Sequence, residues 1–242
     1  DYELVGKVNL TDNHEIDANL NINEVRLESI AKGFTDIPMT GWLSTNVHIG
    51  GSTIYPEIAG SIKLHDGSVY GELVTDAVAN FAYGDNRLDV TDFSVKAYDS
   101  EIVGYGHMIG DGLNFTLTGK NIDMERIVRS QTTKVGGYAD VDGTITGTTN
   151  HPIFNGNLHS DNISVNDVAL TKIDGKVYAD PTVVNLQNLY FTQGKGHYQA
   201  HGGMNLDSKQ LFGFAQVVDG ELERIIQFAK VPVYNLDGAL SG

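Results

Sequence analysis

Apolar and polar residues alternate with a period of two along most of the chain. Ile16, Ala18, Leu20 and Ile22 are interleaved with Asp17, Asn19 and Asn21, and Leu113, Phe115 and Leu117 with Asn114, Thr116 and Thr118. Ile58, Ile62 and Leu64 keep one parity across Gly60. Successive side chains of a β-strand point to opposite faces, so each segment predicts a strand with one apolar and one wet face. Turn-forming residues interrupt the alternation: Asp66-Gly67, Gly84-Asp85-Asn86, Gly110-Asp111-Gly112, Asp161-Asn162, Asp174-Gly175 and Ala179-Asp180-Pro181. The pattern predicts an all-β chain, a meander of antiparallel strands.

The pattern also repeats. Gly51-Ser-Thr-Ile-Tyr-Pro56-Glu-Ile-Ala-Gly60 returns as Gly147-Thr-Thr-Asn-His-Pro152-Ile-Phe-Asn-Gly156, with proline and glycine both displaced by 96. Leu88 and Val90 map onto Val184 and Leu186, Phe93 and Val95 onto Leu189 and Phe191, and Gly106 onto Gly202. In both copies the apolar parity slips by one residue at the same place, between Val90 and Phe93 and between Leu186 and Leu189, which predicts a repeated β-bulge. A second block recurs three times: Asn21-Ile22-Asn23 before Arg26-Leu27, Asn121-Ile122-Asp123 before Arg126-Ile127, and Asp219-Gly220-Glu221 before Arg224-Ile225. A short apolar-x-Gly-x-apolar strand follows each, at Met39–Leu43, Val141–Ile145 and Leu236–Leu240. The chain therefore reads as one continuous array of about two and a half repeats, with approximate units 1–105, 106–201 and 202–242.

Each repeat carries one short helix candidate. Leu222, Ile225, Ile226 and Ala229 have helical spacing, with Asp219 as N-cap and Pro232 beyond the end. Asp123 with Met124, Ile127 and Val128 repeats the idea, as does Asn23 with Leu27, Ile30 and Ala31. Arg26, Arg126 and Arg224 fall at one place in this block; a surface ion pair with a neighbouring Glu outweighs a headgroup or partner contact.

Composition narrows the function classes. Thirty-one acids against 16 bases give a net charge of −15, which disfavours binding to nucleic acid or to an anionic membrane surface, because both need clustered Lys and Arg. Cysteine is absent, so no disulfide and no thiolate-ligated metal site is available. No apolar run approaches the roughly 20 residues that span a bilayer as a helix. The opening Asp1-Tyr2-Glu3-Leu4 has neither Met nor a secretory leader pattern, and the chain reads as an internal fragment of something longer.

Candidate chemistry is thin. Asp140-Val-Asp142-Gly143-Thr144 matches the nucleophile loop of haloacid-dehalogenase-type phosphatases, but that loop belongs after a buried parallel strand, and the aligned third copy carries Asn235 and Asp237. Gly110-Asp-Gly112-Leu-Asn-Phe115 resembles one calcium-binding nonapeptide without the required tandem, so a hairpin turn is the stronger reading. His197 and His201 share a strand face without a third ligand at motif spacing. Asn114-Phe-Thr116 and Asn162-Ile-Ser164 spell glycosylation acceptors within strand or turn. No nucleophile elbow, Walker loop or Rossmann glycine pattern is present, so neither an enzyme nor a cofactor is expected.

The apolar face itself remains. Leaving a Leu- or Phe-sized side chain exposed forgoes about 1.5–3 kcal/mol, so something must cover so many phased side chains. Closure into a barrel or sandwich is one solution, and an open trough holding an apolar guest is the other. A repeat array grows by stacking, which favours the trough. Leu20, Ile22, Ile58, Ile62, Leu64, Leu88, Val90, Phe93, Val95, Phe115 and Leu117 are expected to line it, with Val184, Leu186, Leu189 and Phe191 in the next repeat. Ordinary core packing is the alternative role for each.

The Gly-x-x-x-x-Pro-x-x-x-Gly segments at Gly51–Gly60 and Gly147–Gly156 resemble those of the TamB/AsmA-like family. So do the Asp-Gly turn, the strand start Tyr83-Gly-Asp-Asn-Arg-Leu-Asp-Val90 and the strand Ile102-Val-Gly-Tyr-Gly106. The resemblance implies a β-taco: an elongated antiparallel meander curled into an open groove with aliphatic inner walls, with short helices between repeats. It implies a periplasmic segment of a protein anchored in the inner membrane of a two-membrane bacterium. Its partner would be phospholipid or another acyl-chain lipid carried toward the outer membrane. An Omp85-type outer-membrane protein would be a partner through parts outside this fragment. Strand augmentation of nascent outer-membrane proteins is the alternative role.

Overall fold

In the computed structural model, residues 2–9, 14–31, 38–127, 134–208, 210–221 and 239–240 are described. Fourteen strands follow chain order in one antiparallel sheet that does not close, and two short helices interrupt them. The all-β class expected from the alternation is the class found. Two compact units divide the chain, Asp1–Leu117 and Thr118–Gly242.

Unit 1 contains β1 (Tyr2–Val8), β2 (Ile16–Arg26), α1 (Leu27–Ala31), β3 (Met39–Gly51), β4 (Pro56–Val69), β5 (Glu72–Gly84), β6 (Arg87–Ala97) and β7 (Ser100–Ile109). Strand β8 (Gly112–Asp123) begins in unit 1 and ends in unit 2. Unit 2 continues with α2 (Met124–Ile127), β9 (Val135–Thr148), β10 (His151–Val165), β11 (Val168–Ala179), β12 (Val183–Gln193), β13 (Gly196–Asn205) and β14 (Leu211–Val218). A separate two-stranded pair joins β15 (Gly220–Glu221) to β16 (Ala239–Leu240).

Element boundaries keep the displacement of 96. Strand starts at 16, 39, 72, 87 and 100 recur at 112, 135, 168, 183 and 196. The expected bulges are present: pairing of β6 with β7 shifts between Val90 and Phe93, and pairing of β12 with β13 between Leu186 and Leu189. Both helices follow the strand of the Asn-Ile block, and the Asp123 carboxylate caps α2 by accepting the Glu125 N–H at 3.0 Å. Glu28 of α1 accepts the Gly41 N–H at 3.2 Å, tying α1 to β3. The third helix candidate, at Leu222–Ala229, lies outside the described residues.

Three expected turns are not turns. Asp66-Gly67, Asp161-Asn162 and Asp174-Gly175 lie inside β4, β10 and β11, and the chain reverses instead at Tyr70-Gly71 and Asn166-Asp167. Asp66 has a positive φ of 48°, and the register of β10 and β11 shifts beside the other two pairs. Irregular strand interiors select the same small polar residues and glycine as turns do.

Candidate functional site

Residues directly opposite on neighbouring strands share a face, so the register assigns every strand side chain of unit 1 to one side. One row runs Leu20, Val47, Gly60, Phe81, Val90, Gly106 across β2 to β7. The next runs Ile22, Thr45, Ile62, Ala79, Phe93, Gly104. Flanking rows hold Ala18, Ile49, Ile58, Tyr83, Leu88, Met108 on one side and Val25, Leu43, Leu64, Ala77, Val95, Ile102 on the other. All nine residues expected from β2, β4 and β6 therefore share one apolar face. Phe115 joins them, because its ring lies over Gly106, and Leu117 follows it two positions along β8. Of these eleven, Leu64 is buried, Ile62 is 40% exposed and the rest are half-buried.

This face carries no charged side chain in its four rows. Its hydroxyl at Thr45 donates to the Ser61 carbonyl at 2.7 Å. The opposite face is polar: Asn21, Asn46, Ser61, Asn80 and Asp92 form one row, in which Asn80 Nδ2 donates to Asp92 at 2.8 Å.

Glycine shapes the apolar face. A Cβ at Gly60 would collide with the Asn46 carbonyl oxygen, and one at Gly156 would collide with that of Asp142, the residue 96 positions after Asn46. Neighbouring strands crowd together there, and only hydrogen fits. In unit 2 the row reads Gly143, Gly156, Val177, Leu186, Gly202, Gly213, a line with two cross-strand glycine pairs. The Phe154 ring leans over Gly143 and Gly156, which restores apolar cover where side chains are missing.

Unit 2 buries more of its face. Ala139, Leu158, Ile163, Val168, Leu170, Ile173 and Phe191 form a core cluster, with Met124 of α2 and Leu189 packed against it. Val184 and Leu186 lie half-buried in the apolar rows. Phe191 instead sits in the core, 8% exposed, stacked on Tyr198 with ring centroids 4.9 Å apart. The sequence reading missed Leu158, Leu170 and Ile173; the displacement of 96 pairs Leu158 with Ile62, one of the expected lining residues, and would have found it.

The remaining sequence candidates sit in structural interactions. Asp140 accepts from Lys120 Nζ at 2.7 Å and from the Asn121 N–H at 2.9 Å, while Asp142 accepts from Asn157 Nδ2 at 2.9 Å. The Lys120 ammonium holds the Asp140 carboxyl below its ordinary range. His159 lies in register between Asp140 and Asp174, and its Nδ1 is 2.7 Å from the Asp174 carboxylate, which raises its pKa. Gly110-Asp111 forms the β7 to β8 turn. His201 of β13 stacks on Phe214 at 5.5 Å, and among the described residues no cluster of three potential ligands is placed to hold a metal. Arg26 pairs with Glu28 at 3.4 Å and lies 4.3 Å over the Trp42 ring; Arg126 pairs with Asp123 at 3.3 Å. Arg224 lies outside the described residues.

The helices are too short to cross a membrane among the described residues. No protein-family model matches the chain, and no curated protein or solved structure matches it.

Proposed function

We propose that this chain is a noncatalytic lipid-carrying segment whose apolar sheet face receives phospholipid acyl chains. Its setting would be a periplasmic bridge between inner and outer membranes. The observation that carries the reading is the unit 1 face: nine expected side chains in register, a single one of them buried, and no charge among the four rows. Acyl chains slide only over a floor without charged stops, since stranding a polar group against hydrocarbon costs several kcal/mol. The sequence resemblance to the TamB/AsmA-like family points the same way.

Site-specific photocrosslinkers in cells provide the test. A probe at Phe93 should capture lipid, and one at Asn80 on the polar face should not. Val95→Asp and Phe115→Asp should abolish capture and lipid transfer while the protein still folds. Equal capture from both faces would sink the reading.

One observation favours a second role, the pairing of partner strands with an open sheet edge. Strands β1 and β14 each have one neighbour in the sheet, and β14 exposes Phe212 and Phe214. Protein crosslinks concentrated on β1 and β14, with none to lipid from Phe93, would support it.

A further inference from the structure

The polar faces hold two recesses beside the repeated bulges. In unit 1, Val90 pairs with Gly106 and Phe93 with Gly104, so Thr91 and Asp92 together oppose the single residue Tyr105. Tyr105 is 59% exposed and lines a recess with Arg87, Asp89, Thr91, His107 and Asn114. In unit 2, Tyr190 follows the second bulge, is 50% exposed, and lines a recess with Asp142, Asn157, His159, Asp174 and Asn188. Lys176 completes that wall. Asn188 is the bulge residue with φ 49°, so the irregularity itself supplies a wall of the recess.

The two recesses differ in sequence and agree in chemistry. Each combines one exposed tyrosine with one histidine and one Arg or Lys, together with one aspartate and one asparagine in unit 1 and two of each in unit 2. Their planar polar groups are already fixed: Arg87 donates twice to Asp89, at 2.6 and 2.7 Å, and Asp174 holds His159 at 2.7 Å. Gln199 Nε2 donates to the Tyr190 hydroxyl at 3.2 Å, which anchors the phenol end of the ring and leaves its half-exposed body beside the carboxylates. Groups fixed before binding lose little freedom on binding.

We infer that each of these recesses is a separate binding site for a neutral sugar, one pyranose ring of an oligosaccharide packing on its tyrosine. A pyranose has an apolar face of C–H groups and a rim of hydroxyls. The tyrosine ring matches the first, and the Asp, Asn, His and Arg or Lys groups match the second, offering both donors and acceptors. Charge selects among sugars. The bases in the recesses lie beside carboxylates, and the chain carries a net −15, so anionic sugars are repelled while uncharged ones are not.

The test is titration of the full chain with chitotetraose and maltotetraose, followed by NMR and calorimetry. Saturable shifts should appear around both Tyr105 and Tyr190. Tyr190→Ala should erase the second set and leave the first, Tyr105→Ala the reverse, each weakening its own site at least about tenfold. Tyr190→Phe should restore binding. Both tyrosines are exposed, so circular dichroism should match the parent, and wild-type titration decides the matter even where a variant misfolds. Absence of shifts at about 10 mM of either sugar, persistence of binding in the double variant, or tighter binding of an oligogalacturonate would overturn the assignment.

Discussion

A methyl group added at Gly60 would strike the Asn46 carbonyl, whereas one at Gly84 would meet a single atom, Glu57 Cγ, at an ordinary 3.7 Å. Gly60→Ala should therefore destabilise by about 1–3 kcal/mol, the usual penalty for overpacking. Gly84→Ala should stay within about 0.5 kcal/mol. Urea denaturation compares them, and equal midpoints would contradict the crowding seen at Gly60. Titration offers a second residue-level test. A folded-state pKa raised for His159 contributes stability that is fully present below the ordinary histidine value of about 6.5 and is lost as pH rises through the folded value. Because Asp174 is the main cause, Asp174→Asn should move the His159 NMR titration midpoint downward; an unmoved midpoint would refute the pairing. Asp180 shifts the other way. It accepts from the Thr182 hydroxyl and amide and the Val183 amide, which holds its carboxyl far below the usual range, so its turn keeps this support until strongly acidic pH.

At the scale of elements, the two repeats share one plan and differ in what they bury. Ile62 and Leu158 occupy equivalent positions 96 apart, yet Ile62 is 40% exposed and Leu158 is 8% exposed. Leu158→Ala should cost about 2–4 kcal/mol through lost burial and a cavity, and Ile62→Ala about 1 kcal/mol or less. Matching losses in thermal melts would mean that the unit 1 face is as filled as that of unit 2. Alternation made the strands legible, and the parity slips at Val90/Phe93 and Leu186/Leu189 marked the bulges, because the period of two exposes any inserted residue. Turn placement was less legible. Asp66-Gly67 looks like a hairpin turn but lies inside β4, since a positive φ inside an irregular strand and at a reversal asks for the same residue types.

On the scale of the whole molecule, the shared apolar face could be read from the sequence because pairing register follows parity once strands are consecutive. The unequal burial of Val95 and Phe191, which are 96 apart, could not, since burial depends on neighbours such as Tyr198 and Leu170 that periodicity does not rank. The two tyrosine recesses were also hidden, because their residues converge from different strands. Amide protection should follow burial. Hydrogen exchange should be slowest around Leu158–Ile173, inside the unit 2 core, and faster in β6 and β7 of unit 1. The reverse order would place the stable nucleus in the wrong unit.

Strand order has a further consequence, in the time domain. Within each unit every described ladder of the large sheet joins consecutive strands, so few residues must be looped out before a strand meets its neighbour. Such topology has low contact order for a β protein, which shortens the search that makes most β folds slow. A chain emerging amino end first from a ribosome or a secretion pore can add each strand to the edge left by the last. The growing edge is apolar at β14, with Phe212 and Phe214 exposed, so the same geometry that speeds assembly leaves an aggregation-prone template at every pause.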